Sequence, residues 1–236
     1  MQAGDGIKAD NSSWRFKGEV VSQFDDHILR SVPLYKSGHE LISQLSDYFV
    51  SDDGVFYDLG CSTGSISRAL SSRHSSKNNL KFIGIDCEQE MVDKACNISK
   101  NFKNCSFVKE NILEYEYEKT DLMTSYYTIQ FTKPSIRQIL INKIFESLNW
   151  GGAFIMFEKV RGSDARFQDI FTGLYNEFKL ENGYSAEEIL GKTRSLKGVL
   201  EPFSSQGNLD LLTRAGFKDI VPIMKYVCFE GILAIK

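Results

Sequence analysis

With 236 residues, 42% of them hydrophobic, the chain is long enough for one domain with a full core. A net charge of −3 offers no basic surface for neutralising phosphates, so no direct nucleic-acid partner is expected. Five cysteines with no CxxC pair and no histidine at ligand spacing argue against a disulfide framework and against a metal site. No apolar run approaches the roughly 18 residues of a membrane span and the amino terminus lacks the apolar stretch of a signal peptide, so a cytoplasmic protein with no membrane partner is expected.

Residues 1–13 are rich in Gly, Asp, Asn and Ser, which predicts a disordered start before a single domain over 14–236. Val20, Val21, Phe24, Ile28 and Leu29 recur at helical spacing and predict a helix over 17–30. Pro33 then biases Val32 away from helix. Leu41, Ile42, Leu45, Tyr48 and Phe49 mark a second helix, stopped by Ser51-Asp52-Asp53-Gly54. Residues 14–50 are expected to form half of a lid. Tyr35, at the start of the second helix, fits either core packing or ligand contact.

The stretch 55–64 reads V-F-Y-D-L-G-C-S-T-G. A short apolar run ends in Asp58, two glycines bracket small polar residues, and a helical pattern follows over 65–73. This is a strand, a tight turn and a helix start. Gly60 and Gly64 carry no Cβ to hold a ligand off the backbone, and the helix N-terminus offers unpaired N–H groups. The dinucleotide fingerprint G-x-G-x-x-G is absent. Residues 81–86 form a second apolar strand closing on Asp86, an acid placed to accept both hydroxyls of a ribose. Asp58 is expected to orient the glycine turn or a ligand amine.

The alternation continues with a helix over 88–101, a strand over 106–109, a strand over 121–128 and a helix over 135–148. A turn at Trp150-Gly151-Gly152 leads into a strand over 153–159. Such alternation argues for a parallel sheet covered on both faces. Asn111 and Ile112, after the third strand, are candidates to read an adenine edge; Asn111 equally fits a cap for its own turn. A helical stretch over 161–180 carries Phe167, Ile170, Phe171, Leu174 and Phe178 on one face. Ser185, with Glu187 and Glu188 behind it, caps the next helix. Residues 192–205 read as basic and then loop-like, a helix over 208–215 closes at Gly216, and 217–222 with 226–236 form a closing strand pair. Residues 161–207 make the second half of the lid. His27, His39 and His74 lie outside every motif and are expected to be solvated or packed. Glu158-Lys159 would supply a base or a structural ion pair.

The D-x-G-x-x-x-G turn, the following Asp86 and the N-W-G-G-A-F segment at 149–154 together resemble the S-adenosylmethionine (SAM) site of class I methyltransferases. The resemblance implies an α/β, Rossmann-like fold: a seven-stranded, mostly parallel sheet with N-terminal helices and a helical insertion before the last strands. Within that class, R-S-V-P-x-Y at 30–35, Y-D-L-G-C-S at 57–62, Gly84-Ile85-Asp86, Gln130-Phe131, Lys143-Ile144, the segment 148–153, Glu158-Lys159, N-G-Y-S at 182–185 and Ala215-Gly216-Phe217 resemble the carboxy-SAM synthases. That resemblance implies a SAM-dependent transferase-like enzyme that holds SAM with Tyr35, Gly60, Cys61, Ser62, Asp86, Cys87, Asn111 and Ile112. It further implies carboxylation of the SAM methyl carbon with prephenate as the carboxyl source, and a homodimer.

Two departures stand out. Tyr126 occupies the place of a family Asn. The family's Lys-Arg pair, whose Arg grips the new carboxylate, is Lys192-Thr193 here, with Arg194 one place later. A carboxylate in a dry pocket needs a charge-assisted partner, so Arg194 is the candidate, and Tyr126 and Tyr35 join it as candidates for the chemistry. Tyrosine faces around a sulfonium contribute about 0.5–2 kcal/mol. Strand alternation lets only one of Tyr126 and Tyr127 face the ligand. Three other outcomes stay open: intramolecular cyclisation of SAM to azetidine-2-carboxylate and methylthioadenosine, methyl transfer to a small molecule, and a non-catalytic SAM-binding partner.

Overall fold

The computed structural model describes residues 2–4, 6–7 and 10–236. Strands β1 (Val55–Leu59), β2 (Lys81–Asp86), β3 (Cys105–Lys109), β4 (Thr120–Tyr126), β5 (Leu148–Lys159), β6 (Asp219–Tyr226) and β7 (Phe229–Ile235) form one sheet in the order β3-β2-β1-β4-β5-β7-β6. β1 to β5 pair in parallel, and β7 runs antiparallel between β5 and β6. The chain winds outward from β1 to β3 and then returns to β4 on the other side of β1. The strand order reverses there, and a crevice opens beyond the carboxyl ends of β1 and β4 where ligands of such sheets sit.

Both faces of the central strands are covered, so β1, β4 and β7 are buried almost throughout, while the edge strands β3 and β6 are partly exposed. Phe56, Phe82, Leu122, Ile155 and Phe157 pack against α2 (Tyr35–Leu45) and α3 (Ser65–Arg73) on one face. Tyr57, Leu59, Met123, Phe154 and Met156 pack against α5 (Arg137–Ser147) and α8 (Ser205–Ala215) on the other. The remaining helices are α1 (Glu19–Ser31), α4 (Gln89–Ile98), α6 (Ala165–Glu181) and α7 (Ala186–Ser195).

Several elements differ from the sequence reading. β4 stops at Tyr126 because Tyr127 takes a left-handed backbone, φ 60°. β5 begins at Leu148: the expected turn at Trp150-Gly151-Gly152 is a bulge inside the strand, where the register shifts opposite Thr120 and Leu122 and Gly151 has φ 78°. Lys192 to Ser195, the basic start of the stretch read as basic and then loop-like, are the last turn of α7, whose first turn is fixed by a capping box between Ser185 and Glu188.

The five aromatic and aliphatic residues expected on one face of α6 divide. Phe171 packs into the core with Tyr175, while Phe167, Ile170 and Leu174 are exposed. The amino-terminal segment, expected to be disordered, contributes to a small core where Ala3 and Ile7 are buried with Trp14 and Val20. Its backbone is tied down as well, Ser12 N–H donating to Arg194 O at 3.1 Å and Trp14 N–H to Ser195 O at 3.2 Å. Residues 1, 5, 8 and 9 of that expectation lie outside the described residues.

Candidate active site

A cavity of about 580 Å³ lies at the crevice, a size suited to a nucleoside-bearing ligand. It is lined by Tyr35, Asp58, Gly60, Cys61, Ser62, Asp86, Cys87, Asn111, Ile112 and Tyr126. Arg194, Glu158 and Gly64, also singled out from the sequence, are not among the residues that line it.

The glycine turn is built by the backbone. Gly60 N–H and Cys61 N–H both donate to Ile85 O, at 2.7 and 3.0 Å, and Gly60, Ser62 and Gly64 all have left-handed φ, between 48° and 75°. The glycines also make room for protein side chains. A Cβ on Gly60 would lie 2.3 Å from the Thr128 side chain, and one on Gly64 2.4 Å from the Phe107 ring. Close approach of a ligand is therefore only part of why these positions lack a side chain.

Asp86 Oδ2 accepts from Ser62 N–H and Oδ1 from Glu88 N–H, both at 2.9 Å. Each oxygen keeps a second acceptor site for a ribose hydroxyl. Asp58 is buried, accepting from Ser67 Oγ at 3.3 Å and Thr124 Oγ1 at 3.2 Å, and burial pushes its pKa up to about 7. Asn111 Oδ1 accepts from Leu113 N–H at 3.0 Å, so its side chain caps its own turn. Ile112, Phe131 and Ile136 add apolar lining to the cavity.

At the other end the walls are aromatic. Tyr126 Oη donates to Tyr35 O at 2.7 Å. The Tyr35 ring centroid is 5.0 Å from that of Tyr126 and 6.5 Å, stacked, from that of Tyr127, while His39 lies 4.6 Å from both Tyr35 and Tyr126. Strand alternation was expected to let only one of Tyr126 and Tyr127 face the ligand, yet both tyrosines line the cavity. The left-handed backbone at Tyr127 places it beyond the pleat, and its ring packs edge-on against Phe157 and Phe229. Burial, above all, raises the pKa of all three phenols. Burial lowers His39 to about 4 and, with the charge of Lys192, lowers His27 to about 3. His27 and His39 are thus neutral and packed, and both line the cavity; no motif in the sequence marked them.

Arg194 lies outside this cavity, and a basic side chain that does line it is that of Lys192, two residues back. Lys192 Nζ is 3.0 Å from His27 Nε2, stands over the Trp14 ring and lines the cavity. Thr193 Oγ1 donates to Ile189 O at 2.8 Å. One helical step rotates a side chain by about 100°, so two steps carry Arg194 to a different face of α7 from Lys192.

Glu158 and Lys159 do not pair, because successive strand residues face opposite sides. Glu158 is buried, its Oε1 accepting from Ile129 N–H at 3.0 Å. Burial pushes its pKa up to about 8 even though Arg137 pulls it down. Lys159 faces the cavity over Tyr175, 4.3 Å from the ring centroid. Arg137, which no motif marked, is 1% exposed and donates to Thr132 O at 2.9 Å and Gln130 O at 3.1 Å, holding the turn after β4. Gln130 in turn accepts from Lys159 N–H at 2.9 Å, which sets the end of β5 beside that turn.

A methyltransferase-domain family model matches residues 51–201. Among solved structures, a SAM-dependent methyltransferase from Aquifex aeolicus aligns with a TM-score of 0.59 at 16% identity, covering 94% of this chain and 99% of that one. Human N-acetylserotonin methyltransferase in complex with SAM aligns with a TM-score of 0.57 at 17% identity, covering 94% of this chain and 60% of that one. Fold and site together define a SAM-dependent enzyme of the class I methyltransferase fold. A carboxy-S-adenosyl-L-methionine synthase from Staphylococcus epidermidis is 36% identical over 224 residues, 94% of this chain and 97% of the relative. One from Campylobacter lari is 36% identical over 224 residues, 94% of each chain. The chain belongs to the carboxy-S-adenosyl-L-methionine synthase family.

Proposed function

We propose that the enzyme carboxylates SAM itself at the methyl carbon, with prephenate as the carboxyl source. The observation that carries this reading is Lys192, a buried amine over the Trp14 ring that lines the same cavity as Tyr35, Tyr126 and Tyr127; burial, and then the charge of Lys179, lowers its pKa well below the usual lysine range, and a carboxylate beside it would favour its charged form. In this reading Asp86 binds the ribose, Ile112 and Phe131 flank the adenine, and Asp58 receives the methionine ammonium. The sulfonium then lies among Tyr35, Tyr126 and Tyr127, and its methyl group points toward Lys192.

The chemistry follows from prephenate's own structure. Loss of its ring carboxylate as carbon dioxide, with expulsion of the ring hydroxide, leaves aromatic phenylpyruvate. The hydroxide takes a proton from the SAM methyl group and becomes water. The resulting ylide carbon attacks the carbon dioxide, forming the new carbon–carbon bond. The aromatic walls exclude bulk water from the ylide and favour the sulfonium by about 0.5–2 kcal/mol, and Lys192 receives the new carboxylate as a charge-assisted hydrogen-bond partner.

The test is mass spectrometry of the purified enzyme with SAM, with and without prephenate. A species heavier than SAM by one carbon dioxide, seen only with prephenate, is the expected result. Methylthioadenosine from SAM alone would replace this reading by cyclisation, and S-adenosylhomocysteine formed only with an acceptor would replace it by methyl transfer. The same reading carries a homodimer, for which the outward apolar stripe of Phe167, Ile170 and Leu174 on α6 is the surface to test by light scattering.

A further inference from the structure

A second cavity of about 440 Å³ adjoins the first, and Lys159, Tyr175 and Lys192 line both. Its walls gather three lysine amines, each with a pKa that burial lowers. β5 and α6 bring two lysines to one ring: Lys159 Nζ and Lys179 Nζ each stand 4.3 Å from the centroid of Tyr175. Lys192 from α7 lines the same space. Lys179 is only 6% exposed, although it sits on a helix whose outer face was open to it.

Among the described residues no ion pair joins Lys159, Lys179 or Lys192 to a carboxylate. Two glutamates reach the cavity wall. Glu188 is committed to the start of α7, accepting from Ser185 N–H at 2.8 Å, and Glu201 lies on the segment leading to α8. Burying ammonium groups beside one another costs free energy unless an anion answers them. Burial first, then the charge of Lys159, lowers the pKa of Lys179 to about 8. A Met on α6 would fill the same volume without that cost.

We propose that Lys159 and Lys179 are specificity-determining residues that grip the co-substrate carboxylate farthest from the reacting carbon, restricting the enzyme to dianions. The inference rests on the carboxylation reading, because it places the two ends of one co-substrate in joined cavities. The reacting carboxylate lies at the SAM end beside Lys192, and the side-chain carboxylate lies between the two lysines on Tyr175. A monoanion held only at the reacting end leaves Lys159 and Lys179 unanswered.

The experiment is equilibrium dialysis of the intact enzyme saturated with S-adenosylhomocysteine, against prephenate, phenylpyruvate and benzoate. Phenylpyruvate keeps the remote carboxylate and benzoate lacks it. Lys159→Met and Lys179→Met are expected to weaken prephenate and phenylpyruvate by about tenfold or more, as loss of a charge-assisted partner does, with benzoate unchanged. Lys179→Arg should keep most of the affinity, and S-adenosylhomocysteine binding checks that each variant is folded. Wild-type prephenate affinity in both Met variants would overturn the proposal, as would equal losses for benzoate or an Arg variant as weak as the Met one. Lysine-dependent prephenate binding with no carboxy-SAM formed would sink the carboxylation reading and leave the receptor standing. Carboxy-SAM formed by Lys159→Met and Lys179→Met, both with unchanged prephenate affinity, would do the reverse.

Discussion

The hydroxyl of Tyr126 stands where a side chain at Gly38 would begin: a Cβ on Gly38 would lie 2.1 Å from the Tyr126 oxygen. That oxygen donates to Tyr35 O, so the first turn of α2 and the end of β4 are joined through the missing side chain. Tyr126 is one of the two departures from the family pattern, and the structure shows its complement. The larger ring at the end of β4 fits because α2 leaves space for it, as close-packed interiors require.

Gly38→Ala is therefore expected to destabilise the protein. Alanine in the interior of a helix ordinarily gains up to about 1 kcal/mol over glycine, but overpacking against a buried, hydrogen-bonded ring costs about 1–3 kcal/mol. Clash should win. Tyr126→Phe removes the atom at 2.1 Å and leaves ring carbons at 3.0 and 3.1 Å, so the double variant should recover part of the loss. Denaturant midpoints for the four proteins check this, and strictly additive effects would mean the two positions are not coupled.

If Asp58 receives the methionine ammonium, SAM affinity is expected to depend on pH. Burial raises its pKa to about 7 in the ligand-free enzyme, and an ammonium seated against the carboxylate lowers it again. Binding then prefers the deprotonated form, so affinity should fall as pH drops below about 7, by up to about tenfold per pH unit until the pKa of the complex is reached. Asp58→Asn should bind more weakly at neutral pH and lose the slope. Titrations of S-adenosylhomocysteine between mildly acidic and neutral pH measure both, and an unchanged slope in Asp58→Asn would place the titrating group elsewhere.

Lys192 and Arg194 separate the family's expectation from this chain's geometry. Lys192→Met should reduce carboxy-SAM formation by about a hundredfold or more, the size expected when a buried carboxylate loses its charged partner, while SAM binding stays within a few-fold. Arg194→Ala should leave turnover near the wild-type level, since Arg194 lines neither cavity. Steady-state product measurements with SAM and prephenate decide between them. The opposite ranking would show that α7 rotates when ligands bind.

Much of this was legible in the sequence, and the reason is local. The strand–turn–helix at 55–64, the acid closing β2 and the apolar runs of a two-sided sheet are short-range patterns, and they place the sheet and the glycine-turn side of the cavity without tertiary information. What failed to show depends on long-range geometry. Tyr127 faces the cavity because of one left-handed residue. His27 meets Lys192 across 165 positions of sequence. Lys179 was hidden by a periodicity argument that scored the apolar residues of α6, when the inner stripe of that helix runs Phe171, Tyr175, Lys179 and so ends in a charge. A pattern of side-chain types cannot reveal a polar residue buried for the sake of a ligand.

That burial leaves a signature in stability. Lys179 has its pKa lowered from 10.5 to about 8, so the native state holds the proton less well than the unfolded chain does. Below about pH 8 both states are protonated and the cost of the buried charge is fully present, up to about 3 kcal/mol at 1.36 kcal/mol per pKa unit. Between pH 8 and 10.5 the native amine loses its proton first, and the cost fades. Lys179→Met should therefore be more stable than the wild type at neutral pH by about 1–3 kcal/mol, discounting for relaxation around the site. The advantage should stay flat below pH 8 and shrink as pH rises toward 10.5. Chemical denaturation of both proteins across that range measures the difference directly. A stabilised variant with weakened prephenate binding would mark a residue kept for its ligand at the expense of the fold, whereas a destabilised variant at neutral pH would mean that Lys179 supports the packing of α6 and that its charge is already compensated in the native protein.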